Sequence, residues 1–107
     1  MKFSIIVGCY NQLKYIPRLI ESLENQTFKD FEVHFCDDGS NDGTKEFFEN
    51  VQFSFPHQYH RPWFKRGFRL SKMINKGIRN AQGDYCIFIM GDSFLELNFL
   101  EILAEWV

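Results

Sequence analysis

Apolar residues recur along this chain in two rhythms, and the switches between them divide it into strands and helices. Phe3 to Val7 is a short run rich in β-branched residues that ends at Gly8, which suits a buried strand of a parallel sheet. A polar loop, CYNQ, follows. Ile16, Leu19, Ile20 and Leu23 then fall at helical spacing with charged residues between them, predicting an amphipathic helix from Tyr15 to about Asn25 with Pro17 in its first turn. Phe31, Val33 and Phe35 alternate with Glu32 and His34 as a second strand, and Thr44 to Asn50 can form a short helix.

Val51 to Phe55 reads as a third, weaker strand. Pro56 to Gly67, with two prolines, two histidines, Trp63 and several basic residues, has no clear period and reads as a loop. The helical period returns from Arg69, with Leu70, Met73, Ile74, Gly77, Ile78 and Ala81 on one face and Arg69, Lys72, Lys76 and Arg79 on another, until Gly83 stops it. Tyr85 to Met90 is an almost unbroken apolar strand, and Asn98 can cap a last helix whose stripe is Phe99, Ile102, Leu103 and Trp106. Strands alternating with helices predict an α/β fold, a mainly parallel open sheet with helices on both faces, Rossmann-like, in a single domain over residues 1–107.

Composition narrows the function classes. A chain of 107 residues that is 45% hydrophobic can bury a core, so disorder is excluded. With a net charge of only -2 there is no global field that would recruit nucleic acid, and any partner must be met by local groups. Cys9, Cys36 and Cys86 lack metal-type spacing and fall in or just after expected strands, which makes them reduced structural thiols. The first apolar run is too short for a signal peptide and no stretch could span a bilayer, so the expectation is a cytoplasmic protein, with peripheral membrane association left open.

Candidate chemistry sits in two places. The second strand runs into Asp37 and Asp38 and then a turn of Gly and Ser, FEVHFCDDGSNDGT. The strand at Tyr85 likewise ends in Gly91, Asp92 and Ser93. In an open parallel sheet both turns lie at the carboxyl edge, where such sheets meet ligands. Carboxylates there suit a hard divalent cation, magnesium or manganese, completed by substrate phosphates, and neighbouring glycines let a phosphate come close to the backbone.

The ordered set SIIVGCYNQ, LESLENQTFKDFEVHFCDDGSNDGT, GFRLSKMINKGIRNAQGDYCIFI and MGDSFLELNFLE resembles the N-terminal, nucleotide-sugar-binding half of family 2 glycosyltransferases with the GT-A fold. The resemblance implies that Tyr10 stacks on the donor's base, that Asp38 hydrogen-bonds that base, commonly uracil, and that Asp37 shapes the turn. It implies that Arg69 lies near base and diphosphate and that Asp92, as the last Asp of an Asp-x-Asp motif, ligates the metal. The expected partners are a UDP-type sugar donor and a saccharide or lipid-linked acceptor, with inversion at the anomeric carbon.

Two departures stand out. Met90 occupies the first acidic position of Asp-x-Asp, and Gly8 replaces the usual Pro after the first strand. The family's acceptor-binding half and catalytic base correspond to no part of these 107 residues, and neither Glu96 nor Glu101 is assigned as a base. A donor-binding module without turnover is therefore the alternative to a complete transferase. An open sheet edge and the apolar last helix leave room for an oligomer or a second half domain. Two weaker readings are a zinc site on His57 and His60 with His34 or a Cys, and an exposed aromatic interaction patch from Phe53 to Trp63.

Overall fold

The computed structural model describes residues 1–62 and 69–107. The elements run β1 (Phe3–Cys9), α1 (Ile16–Glu24), β2 (Phe31–Asp37), α2 (Thr44–Glu49), β3 (His57–His60), α3 (Leu70–Asn80), β4 (Tyr85–Met90) and α4 (Phe99–Trp106). All four strands are parallel, in the order β3-β2-β1-β4. Phe3 pairs with Phe31 on one side and Tyr85 on the other, while at the far end Cys9 pairs with Asp37 and Gly8 with Met90. The loops that follow the strands therefore leave from one edge, with β1 between the two acidic turns.

Strand alternation sends side chains to two unequal faces. Phe3, Ile5, Val7 and Cys9 of β1 join Phe31, Val33 and Phe35 of β2 in the main core, covered by Ile16, Leu19, Ile20 and Leu23 of α1, Phe48 of α2 and Leu100 of α4. The opposite face, under α3, holds a smaller apolar cluster of Ile6, Cys36 and Met73. A Cβ on Gly77 would lie 2.5 Å from Cys36 Sγ, so α3 reaches the sheet this closely because residue 77 has no side chain.

Beside that cluster runs a buried polar row. Ser4 Oγ donates to Glu32 Oε2 at 2.5 Å, and the Gln82 N–H donates to the same oxygen at 2.6 Å. His34 Nε2 lies 3.2 Å from Glu32 Oε1, at ion-pair distance though off the line of a hydrogen bond, and His34 Nδ1 is 2.9 Å from His60 Nε2. Burial, then the facing His34, then Lys76 of α3 push the His60 pKa down to about 4. Burial raises the Glu32 pKa, but hydrogen bonds from Gln82 and Ser4 together with the nearby His34 outweigh it and the net direction is downward.

Several expectations are corrected. Val51–Phe55 is not a strand: Phe53 and Phe55 turn into the main core, and the third strand is His57–His60, inside the stretch read as a loop. This polar HQYH segment is a strand because its backbone pairs with Val33–Cys36 of β2. The aromatic patch loses its basis, since Phe55 is buried and stacks on Phe53, while Trp63 lies outside the described residues, as does the rest of the expected loop up to Gly67. β4 is an edge strand, with Phe88 53% exposed and Cys86 exposed, because α3 covers β1 and β2 instead. In α4 Leu100 is buried and Phe99 and Leu103 of the expected stripe pack against the main core, while Ile102 and Trp106 stay exposed beside an open apolar groove of about 280 Å³, Trp106 by 81%. Asn98 makes no side-chain cap hydrogen bond. Among the described residues no helix is long and apolar enough to cross a membrane.

Candidate functional site

At the carboxyl edge Asp37 ends β2 fully buried. Its Oδ1 accepts from the Ser40 N–H at 3.0 Å and the Ser40 hydroxyl at 2.5 Å. The Tyr59 hydroxyl donates to Oδ2, and Arg61 Nη1 reaches the same oxygen at 3.2 Å and the Ser40 carbonyl at 3.0 Å. Burial and the bond to Asp37 hold the Tyr59 phenol well above its usual pKa, so it stays a donor. These bonds tie the turn after β2 to the end of β3.

Asp38, also fully buried, joins three elements. Its N–H donates to the Cys9 carbonyl of β1 at 3.1 Å, and its two carboxylate oxygens accept from the Arg69 N–H at 3.0 and 2.9 Å. Arg69, 31 residues away in sequence, is brought to Asp38 at the entrance of α3.

The loop after β1 carries Tyr10, half-buried, and is laced to the β2 turn. Asn11, a non-glycine residue at φ 52, donates its N–H to Ser40 Oγ at 2.8 Å and accepts from the Asn41 N–H at 2.8 Å. The Leu13 N–H donates to Asp42 Oδ2 at 3.0 Å. Burial alone would raise the Asp42 pKa, but hydrogen bonds from Thr44 and Leu13 lower it. Between these clamps Gln12 directs Oε1 inward, where that atom is buried and has no hydrogen-bond partner among the described residues.

Asp92 stands exposed beyond β4, two strands from Asp38, in a turn held by the Gly91 N–H on the Gly8 carbonyl (2.9 Å) and the Ser93 N–H on the Met90 carbonyl (3.0 Å). Among the described residues no group of three or more His, Cys, Asp or Glu could hold a metal ion. His57 and His60 cannot share a zinc ion, because their odd spacing on β3 sends them to opposite faces: His57 packs on Phe53 and Phe35, and His60 on His34.

Tyr10, Asp37, Asp38 and Arg69 are therefore gathered around the ends of β1 and β2, and Asp92 faces them across β1. Sequence reasoning missed Tyr59, Arg61, Ser40, Asn11 and Gln12. For Tyr59 and Arg61 the available signal was the alternation in HQYHR, hidden once the apolar run before it was taken as the strand.

Comparisons with known proteins give the family and the fold. The family profile for Glycosyl transferase family 2 matches residues 4–107. A cholesterol galactosyltransferase of Borreliella burgdorferi is 33% identical over 102 residues, covering 95% of this chain and 28% of that protein. Chondroitin synthase of Escherichia coli is 34% identical over 102 residues, covering 95% of this chain and 15% of the synthase. The crystal structure of S. aureus TarS 1-349 in complex with UDP-GlcNAc superposes with a TM-score of 0.88 at 31% identity, over 99% of this chain and 31% of the TarS chain. The chain thus spans less than a third of the length of each of these proteins.

Proposed function

The chain belongs to glycosyl transferase family 2 and has the parallel α/β architecture of a GT-A fold, and we propose that it holds a nucleotide-diphosphate sugar, of the UDP type, across the carboxyl ends of β2, β1 and β4. The observation that carries this reading is the juxtaposition at that edge: the loop carrying Tyr10, the Asp38 carboxylate with Arg69 beside it, and Asp92 on the far side of β1. The likeness to a TarS structure holding UDP-GlcNAc supports the donor class.

In this reading Tyr10 stacks on the uracil and Asp38 accepts from its ring N–H, in a position held by Cys9 and Arg69. Arg69 faces the diphosphate with its cation, and Asp37 keeps the turn in shape. Asp92 is the carboxylate that would hold a divalent cation, manganese or magnesium, with water and phosphate oxygens completing its shell, and the bound cation would neutralise charge on the departing diphosphate. The reaction is transfer of a hexose-type sugar to a hydroxyl of a saccharide or lipid-linked acceptor with inversion. It needs a carboxylate to take the acceptor's proton. Glu101 is engaged by the Thr27 hydroxyl at 3.3 Å and Glu96 borders the α4 groove, so neither is given that role.

A second reading, a donor-binding module that does not turn over, is favoured by Met90 standing at the first acidic position of the Asp-x-Asp motif. Thermal unfolding with UDP, with and without manganese, tests donor binding. The reading expects a metal-dependent rise in the midpoint that Asp38→Ala and Asp92→Ala each reduce, and no metal-dependent rise in the wild type would refute it. Release of UDP from a UDP-sugar in the presence of acceptor separates the transferase from the module.

A further inference from the structure

We propose that Gln12 is a donor-site residue whose side-chain amide oxygen accepts a hydrogen bond from a ribose hydroxyl of the nucleotide, in place of the carboxylate that Met90 and Gly91 do not supply. The proposal rests on the nucleotide-sugar reading above. Its first support is an imbalance: Gln12 Oε1 is buried yet has no partner among the described residues. A buried acceptor left unpaired destabilises the fold, a cost that a ligand hydroxyl would remove.

The second support is where that oxygen lies. A Cβ built on Gly91 would sit 2.9 Å from Gln12 Oε1 and 3.0 Å from Cys9 Cβ, so the amide is pressed against the strand end that carries the metal turn. Any side chain at position 91 would have to displace it. Glycine there and glutamine at position 12 form a matched pair, the first leaving the volume into which the second places an oxygen.

The third support is the loop's preparation. Asn11 and Leu13, on either side, are each tied by their N–H groups to the β2 turn, at Ser40 and Asp42. Gln12 is thus held before any ligand arrives, which lowers the entropy cost of using it.

The fourth is the order of the sheet. With β2-β1-β4 adjacent, Asp38 for the base and Asp92 for the metal and diphosphate flank the end of β1. Ribose is covalently between base and diphosphate, so it falls over the loop after β1, where Gln12 is. A neutral amide oxygen also matches a hydroxyl donor, whereas a cation beside Asp92 can be completed by phosphates and water.

The test uses the 107-residue chain with manganese and titrates UDP, 2′-deoxy-UDP and 3′-deoxy-UDP calorimetrically against wild type, Gln12→Met and Gln12→Glu. Gln12→Met, close in shape and without the acceptor, should weaken UDP binding about five- to tenfold, the size of one hydrogen bond. It should leave the ligand-free unfolding midpoint unchanged or higher, because an orphaned acceptor is gone. Binding of one of the two deoxy nucleotides, already short of the bond, should be the same in wild type and Gln12→Met. Gln12→Glu, which keeps an acceptor there, should retain most of the UDP affinity. Equal UDP affinity in wild type and Gln12→Met would overturn the assignment, as would an equal loss against all three nucleotides. A loss that vanishes when manganese is left out would overturn it too, by making Gln12 a metal ligand. UDP binding that Asp38→Ala abolishes but Gln12→Met leaves alone sinks only this inference, whereas no UDP binding by the wild type sinks the donor reading as well.

Discussion

Asp37 and Asp38 are fully buried and hydrogen-bonded to the protein from several directions, whereas Asp92, at the same edge of the same sheet, is exposed and belongs to no cluster of potential metal ligands among the described residues. Sequence makes the two turns look alike, a strand ending in Asp beside Gly and Ser. The difference is in what surrounds them. β2 is central and its turn is enclosed by β3, the loop after β1 and the start of α3, while β4 is the last strand of the sheet among the described residues. The first turn is therefore a fixed frame and the second is exposed, and mutations should separate the two.

Asp37→Ala is expected to have the largest effect. It leaves the Tyr59 hydroxyl, the Ser40 hydroxyl and the Arg61 cation without their shared acceptor, which should cost about 3–5 kcal/mol in chemical denaturation. A loss below about 1 kcal/mol would show that the frame is not what holds this edge together.

The polar row behind the frame gives a pH signature. His60 titrates near 4 in the fold against an ordinary value of 6.5, so between these pH values the unfolded chain binds the extra proton and stability falls as pH is lowered through that window. The loss should be roughly 1–3 kcal/mol, and His60→Gln should flatten it. Glu32, whose folded pKa is also depressed, contributes a separate loss below its ordinary 4.5, and that fall should survive the His60 substitution. A wild-type profile flat from pH 6.5 to 4.5 would contradict the burial of a neutral His60.

Asp38→Ala should be intermediate and mixed, costing roughly 1–3 kcal/mol through the freed Arg69 N–H and also reducing stabilisation by UDP. Asp92→Ala should change ligand-free stability least, within about 0.5 kcal/mol for an exposed side chain, while removing the manganese-dependent part of the UDP shift. If Asp92→Ala destabilised the free protein as much as Asp38→Ala, the contrast between frame and open position would be wrong.

Much of this arrangement was legible beforehand, for reasons that differ from element to element. β1, α1, β2 and β4 announce themselves because their apolar spacing follows one rhythm over five or more residues, and the structure has them within one or two residues of the expected ends. β3 was illegible because nothing apolar marks HQYH; only pairing with β2 makes it a strand, while Phe53 and Phe55, which looked like one, were needed to fill the core. At the edge of the sheet, the acidic residues could be picked out by type and by order along the chain. Their division of labour could not, because it depends on contacts such as Tyr59 to Asp37 and Arg69 to Asp38 that join distant segments.

The sequence by itself determined the alternation of strands and helices, the parallel sense that follows from it, and the membership in a glycosyltransferase family carried by the ordered motifs. Tertiary structure alone decided that one acidic turn is enclosed and the other open, and that Gln12 lies against Gly91. The physical reason is that periodicity is a local property, repeated every two or every few residues and so visible in any short window. Enclosure depends on which strand lies at the edge, and an orphaned oxygen on which loops are tied together, and both are settled only when segments far apart in the chain are packed.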